Sequence, residues 1–176
     1  MASARHVADR HRGTVVGMNP DPRRRARAMT WNDLRKGRAS LPGNAYHITT
    51  VTRNRTPYFA ALDNGRKLVR ELMALQAEGR CETLCYVAMP DHLHWLMALR
   101  AGTLADAVRL LKGRSARAIS RAIWQPNYFD HAARSEEDLR TMARYIGANP
   151  LRTGLVERIG DYPLWEAIWL DETLSL

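Results

Sequence analysis

Two segments with the alternating character of β-strands, Cys81–Ala88 and His92–Leu99, are separated only by Met89, Pro90 and Asp91. So short a connection cannot carry a crossover, so the two strands must lie side by side as antiparallel neighbours. Along the second strand Leu93, Trp95, Met97 and Leu99 fall on one face, and His92 and His94 fall on the other. Residues i and i+2 of a strand lie about 6.5–7 Å apart along the chain. Two imidazoles at that spacing can converge on one metal ion, whereas on a helix they would diverge. A strand-borne histidine pair is equally compatible with a structural or solvent-exposed role, so its meaning depends on what the rest of the chain supplies.

After Pro42-Gly43-Asn44, the β-branched stretch Ala45–Thr52 predicts a first strand. From Leu62 to about Gly79, the residues Leu68, Val69, Leu72, Met73 and Leu75 recur at helical spacing, with Asp63 as the expected N-cap. Thr103 opens a second helix whose apolar face runs Leu104, Ala107, Val108, Leu111, Ala118, Ile119 and Ala122. A short strand is expected around Trp124–Asp130. Ser135-Glu136-Glu137-Asp138 has the form of a capping box and starts a last helix through about Gly147, limited by Pro150. The order β-α-β-β-α-β plus a terminal helix predicts an α+β domain of the ferredoxin-like split type, a four-stranded antiparallel sheet with helices on one face. The histidine pair then lies on an inner strand.

The formal charge of +9 is unevenly distributed. Residues 1–40 carry ten Lys/Arg against three Asp, whereas residues 41–176 are nearly balanced. The chain therefore reads as a basic, flexible arm at 1–40, including Arg23-Arg24-Arg25-Ala26-Arg27, followed by a single domain at 41–176. Such an arm favours polyanions through counterion release without reading their sequence. No apolar run is long enough to span a membrane, and no apolar leader is visible, so a cytoplasmic protein is expected. Cys81 and Cys85 lack a second pair to complete a zinc site and are expected to be reduced thiols. The second helix carries Arg109, Lys112, Arg114, Arg117 and Arg121 with no acidic residue between positions 109 and 121. That face is expected to follow a phosphate backbone, so removing Lys112 or Arg117 should lower the salt dependence of binding.

The last helix has its core stripe at Leu139, Met142, Ala143 and Ile146, which places Tyr145 at the stripe's edge. Asn149, one turn on, projects about 40° from it. Two imidazoles, an amide oxygen and a tyrosine hydroxyl form a compact set for phosphodiester chemistry. Tyrosine ionises near pH 10 and needs a cation or base to act as a nucleophile. Periodicity does not exclude Tyr46, Tyr58, Tyr86, Tyr128 or Tyr162, and Asn149-Pro150 also reads as a helix stop.

Met89-Pro90-Asp91-His92-Leu93-His94-Trp95-Leu96-Met97 resembles the His-hydrophobic-His motif of the HUH single-strand endonucleases. Tyr145 to Val156 is similar to the tyrosine helix of the single-tyrosine transposases, above all the REP-associated branch of that insertion-sequence-like family. Tyr46-His47-Ile48-Thr49, Trp124-Gln125, Asp130-His131 and Glu136-Glu137-Asp138-Leu139 fit in the same order, over about residues 43–166. The resemblance implies that His92, His94 and Asn149 hold Mg²⁺ or Mn²⁺ and that Tyr145 is the nucleophile, with Arg152 beside the DNA. It implies a single-stranded DNA endonuclease and strand transferase acting near hairpins through a 5′-phosphotyrosine intermediate. His47 fits as a packing or supporting residue. The alternatives are a catalytically silent hairpin-binding regulator and an RNA-directed protein. Monomeric and dimeric relatives both occur in the family.

Overall fold

The computed structural model describes residues 42–168, so the basic arm at 1–40 lies outside the described residues. The elements run β1 (Ala45–Val51), α1 (Leu62–Ala77), β2 (Cys81–Met89), β3 (His92–Leu99), α2 (Leu104–Ile119), β4 (Phe129–Ala132), α3 (Glu136–Gly147), α4 (Asn149–Arg152) and β5 (Trp165–Ala167). The central hairpin forms as expected. All pairings are antiparallel, in the order β4-β1-β3-β2-β5. The first four strands have the split βαβ order. The sheet has five strands and not four, because Trp165–Ala167 adds to β2 opposite Cys85–Val87. Three residues are too few to carry a visible period, and their partner strand supplies the order.

Alternation divides the sheet into two cores. On one face Tyr46, Ile48, Leu93, Trp95, Met97 and Leu99 pack with Leu68, Leu72 and Leu75 of α1 and Leu104, Ala107, Val108 and Leu111 of α2. Each buried leucine contributes about 2 kcal/mol through apolar burial. The indole of Trp95 donates to the Thr83 hydroxyl at 3.1 Å, which satisfies the only polar atom it buries. On the other face Ala45, Val87, Met89, Leu96 and Ala98 receive Leu139, Ala143 and Ile146 of α3. A register shift between Thr83 and Cys85 makes β2 change faces, so Cys81 joins the first core and Cys85 the second. Both thiols are free, and burial pushes each up to about 12.

Local signals hold at two helix starts. Thr103 accepts from the Asp106 amide at 3.1 Å, and Ser135 accepts from the Asp138 amide at 3.0 Å. Asp63 is not a cap. Helix α1 begins after Ala61 without a side-chain cap, and Asp63 pairs instead with Lys67 at 2.7 Å one turn on. The strand expected at Trp124–Asp130 forms at Phe129–Ala132, preceded by a single bridge between Trp124 and Thr52. Pro126 has no amide to donate, which interrupts the ladder between them. Ala118 and Ala122 are exposed, because α2 stops at the left-handed Ser120, and Ile123 and Trp124 bury instead. No helix among the described residues is long and apolar enough to cross a membrane.

Candidate active site

The register of β1 on β3 sets Thr49 opposite His94, and His47 and Val51 flank it on the same face. The ring centroids of His92 and His94 are 4.8 Å apart, edge to face. Each imidazole has its Nδ1 engaged. His92 Nδ1 lies 2.6 Å from Asp91 Oδ1, and His94 Nδ1 lies 3.1 Å from both Thr49 Oγ1 and His47 Nε2. Because a carboxylate can only accept, His92 carries its proton on Nδ1 and presents Nε2 as a lone pair. The same arrangement at His94 follows when Nδ1–H donates to Thr49 or His47. Nε2 of both rings makes no hydrogen bond among the described residues.

Asp91 is fixed from its other side by Arg55 Nη1 at 3.0 Å. Burial raises the Asp91 carboxyl, but hydrogen bonds from His92 and Arg55 outweigh it and hold the group below the usual carboxylate range. Arg55 reaches it from a turn in which Asn54 and Arg55 both take left-handed backbone, at φ 53° and 51°. That conformation costs about 1–2 kcal/mol at a non-glycine residue. The Asp91 carbonyl also accepts from the Thr52 amide at 2.8 Å, which clamps the β2–β3 turn to the end of β1.

His94 is 6% exposed. Burial, with the neighbouring His92 and His47 charges adding, lowers it to about 3, and burial with His131 lowers His47 to about 4. Both are therefore neutral at pH 7, the form in which imidazole can ligate. Unfolded histidines titrate near 6.5, so the unfolded chain binds more protons below that value. The stability contributed by the two neutral rings is complete above pH 6.5 and is lost as the pH falls toward 4 and then 3. We predict a loss on the order of 5 kcal/mol between pH 6.5 and 4, about half from each ring, read from denaturant melts. His47→Gln should flatten that slope, and a wild-type midpoint constant over this range would exclude the buried histidines as its source.

Helix α3 lies over the same face. Its buried stripe of Leu139, Ala143 and Ile146 leaves Tyr145 at the rim, 44% exposed. The Tyr145 ring centroid is 5.9 Å from that of His94 and 6.2 Å from that of His47. The Arg152 guanidinium stands 5.0 Å from the same ring. Helix α3 ends at Gly147 as expected, and Asn149 opens the short helix α4. Nδ2 donates to the carbonyls of Tyr145 at 2.8 Å and Ile146 at 3.2 Å, and Pro150 sits in the first turn of α4, where a missing amide costs nothing. This orientation leaves the Asn149 Oδ1 with no hydrogen bond among the described residues. The other tyrosines are committed elsewhere. Tyr46 and Tyr86 are buried in the α1/α2 core, Tyr58 and Tyr128 pack against it, and the Tyr162 hydroxyl donates to the Ala88 carbonyl at 2.7 Å. Burial pushes Tyr86 and Tyr162 up to about 12.

The expected cationic face of α2 has a different character. Arg109 pairs with Asp106 at 3.3 Å, one turn earlier on the same helix, and Arg114 holds Glu78 at the end of α1 at 2.6 and 3.1 Å. The Lys112 ammonium donates to the carbonyls of Gln125, Pro126 and Asn127, and burial lowers its pKa. Arg117 and Arg121 are exposed and have no ion pair among the described residues, and Arg121 lies beyond the helix end. All five sit on the opposite side of the sheet from His92 and His94. Lys112→Met is expected to lower stability by about 2 kcal/mol, because three carbonyls lose a charged donor. An unchanged unfolding midpoint would show that the ammonium does not tether that loop.

The structure thus gathers His92, His94, Tyr145 and Arg152, and it ties Asn149 to the Tyr145 turn. Among the described residues no group of three or more His, Cys, Asp and Glu side chains is gathered to hold a metal ion. A cation at this face would rest on two imidazoles and oxygen donors. Thr49 and Asp91 lie within the motifs that carry the resemblance but have no assigned role there, and Arg55 lies outside those motifs. Thr49 alternates with His47 on β1, a signal that becomes readable only when the β1–β3 register is known.

The family described as "Transposase IS200 like" matches residues 41–149. The REP-associated tyrosine transposase of Escherichia coli (strain K12) is 26% identical over 126 residues, which span 70% of this chain and 76% of that protein. A putative REP-associated tyrosine transposase of Haemophilus influenzae is 30% identical over 99 residues, spanning 47% of this chain and 56% of the other. A solved REP-associated tyrosine transposase bound to a REP hairpin aligns with a TM-score of 0.65 and 26% identity, covering 74% of this chain and 80% of that one.

Proposed function

The chain belongs to the IS200-like transposase family, and from that premise we propose that it cuts and rejoins single-stranded DNA beside hairpins, with Tyr145 as nucleophile. The observation that carries this reading is the placement of the half-exposed Tyr145 ring 5.9 Å from His94, with Arg152 at 5.0 Å. The hairpin bound by the solved relative supports a hairpin-bearing substrate for this chain.

In the proposed step the Tyr145 oxygen attacks phosphorus in line, its proton passes to solvent, and the bond from phosphorus to the 3′ oxygen breaks. The downstream strand is left as a 5′-phosphotyrosine, and the 3′ oxygen takes up a proton to become a hydroxyl. Keeping the phosphate in covalent linkage allows a new 3′-hydroxyl to reverse the attack and join another strand. Arg152 meets the charge of a phosphate held beside Tyr145. The residues fit a divalent cation. His92 and His94 offer Nε2 from adjacent same-face positions with Nδ1 fixed behind; on this reading the Asn149 Oδ1 would be the third ligand, a mixed set that Mn²⁺ accepts readily and Mg²⁺ tolerates. When bound there, such an ion would polarise a non-bridging phosphate oxygen. On this reading the protein works on DNA in the cytoplasm.

The test is incubation with a hairpin-bearing single strand and Mg²⁺ or Mn²⁺, followed by denaturing electrophoresis. A 3′-terminal label should travel with the protein, a 5′-terminal label should be released, and peptide mapping should find the adduct on Tyr145. Tight hairpin binding with no adduct under either metal would replace this reading with that of a silent DNA-binding regulator.

A further inference from the structure

Strand β4 is the edge of the sheet next to β1, and its pairing sets Phe129 opposite Thr49 and His131 opposite His47. Directly opposed residues of antiparallel strands share a face. Phe129 and His131 therefore belong to the face that carries His94 and Tyr145. Thr49, opposite Phe129, is itself 3.1 Å from His94 Nδ1. Two strand spacings, about 10 Å, separate the β4 edge from the histidine strand. Helix α3 covers this face over Ala45, β2 and β3, and it leaves the β4 side open. Phe129 is 75% exposed there, more than any other large apolar side chain among the described residues.

A lone exposed apolar residue is ordinary on a protein surface. Its position and surroundings set Phe129 apart. It stands beside a site whose carboxylate, Asp91, is already paired with Arg55 and His92. Arg152 lies on the Tyr145 side, and Arg53, just past β1, is exposed with no ion pair among the described residues. An exposed aromatic ring on the face that also carries Tyr145 and Arg152 offers the kind of surface on which bases stack in single-strand binding sites. A second protein copy is a poor fit. Phe129 is followed by exposed Asp130 and His131 on a four-residue strand, whereas stable interfaces need a broad apolar patch.

We propose that Phe129 is a stacking platform for one unpaired base of the strand cut at Tyr145, a nucleobase subsite on the open rim of the sheet. The proposal rests on the reading of Tyr145 and the histidine pair as a single-strand DNA-cutting centre. Any of the four bases can occupy the platform, because every base offers a π-face. The subsite therefore holds the strand without reading it.

The test combines equilibrium binding and adduct formation. Fluorescence anisotropy without added metal would follow a hairpin oligonucleotide with single-stranded flanks, and a set of the same oligonucleotide with one abasic site at each flanking position. Phe129→Ala is expected to weaken binding about tenfold, and Phe129→Trp to restore it. One abasic position should weaken wild-type binding to a similar degree and have no further effect on Phe129→Ala. Equal affinities for wild type and Phe129→Ala, or identical abasic profiles for both, would overturn the proposal. So would a wild-type dimer in sedimentation that Phe129→Ala converts to a monomer. Adduct yields measured in parallel keep the two readings apart. No wild-type adduct with an intact stacking signature removes only the cleavage reading, and a normal adduct with no stacking signature removes only the subsite.

Discussion

Tyr145→Phe is expected to reduce covalent protein–DNA adduct by roughly 10³-fold or more while leaving hairpin affinity and thermal stability close to wild type. The substitution removes one oxygen and keeps the ring. The Tyr145 hydroxyl makes no hydrogen bond among the described residues and the side chain is 44% exposed, so the fold loses neither a buried partner nor a packed surface. Surface changes of this kind lie within about 0.5 kcal/mol. The contacts of the ring with His94, His47 and Arg152 persist in phenylalanine. Loss of adduct without loss of binding is thus the signature of a nucleophile, and it separates chemistry from positioning. Equal adduct yields from both proteins would transfer the role to another residue. The remaining five tyrosines offer no comparable candidate, since each is built into or packed against a core.

His94→Ala is expected to lower Mn²⁺ affinity by roughly 100-fold or more, measured by titration calorimetry or by the free-ion resonance signal, and to reduce adduct yield with it. Removing His94 also leaves Thr49 Oγ1 and His47 Nε2 without their shared partner in a buried setting, which adds a stability loss of about 1–3 kcal/mol. His92→Ala at the half-buried start of the strand should lower metal affinity with a smaller stability loss, because its Nδ1 partner Asp91 keeps Arg55. Asp91→Asn should weaken metal binding by about 10- to 100-fold, acting through the orientation of His92. Wild-type Mn²⁺ affinity in His94→Ala would remove the imidazole pair as the cation site.

How far the sequence carried depended on the range of each interaction. The β2–β3 hairpin, the shared face of His92 and His94, and the edge position of Tyr145 follow from periods of two and 3.6 residues, which are properties of a few consecutive positions. The Ser135 and Thr103 caps are equally local. Asp63 shows the limit of such signals, because the same carboxylate can cap a helix or pair with Lys67, and with the helix starting at Leu62 it lies inside the first turn and pairs. The α2 cations fared similarly. Their clustering is visible in the chain, but whether Arg114 meets a phosphate or Glu78 depends on a residue 36 positions away.

Periodicity alone predicted the strand that bears the histidines and the helix that bears Tyr145. Family resemblance joined those elements into one expected site. Only the tertiary structure determined what stands behind and beside them. His47 and Thr49 reach His94 through the β1–β3 register, and Arg55 reaches Asp91 through a left-handed turn. Phe129 reaches the same face because Pro126 delays β4 until after Asn127 and Tyr128. β5 exists as a strand only where β2 offers it an edge. Side-chain alternation is encoded residue by residue, whereas register and edge pairing are settled by which distant backbone completes the hydrogen bonds.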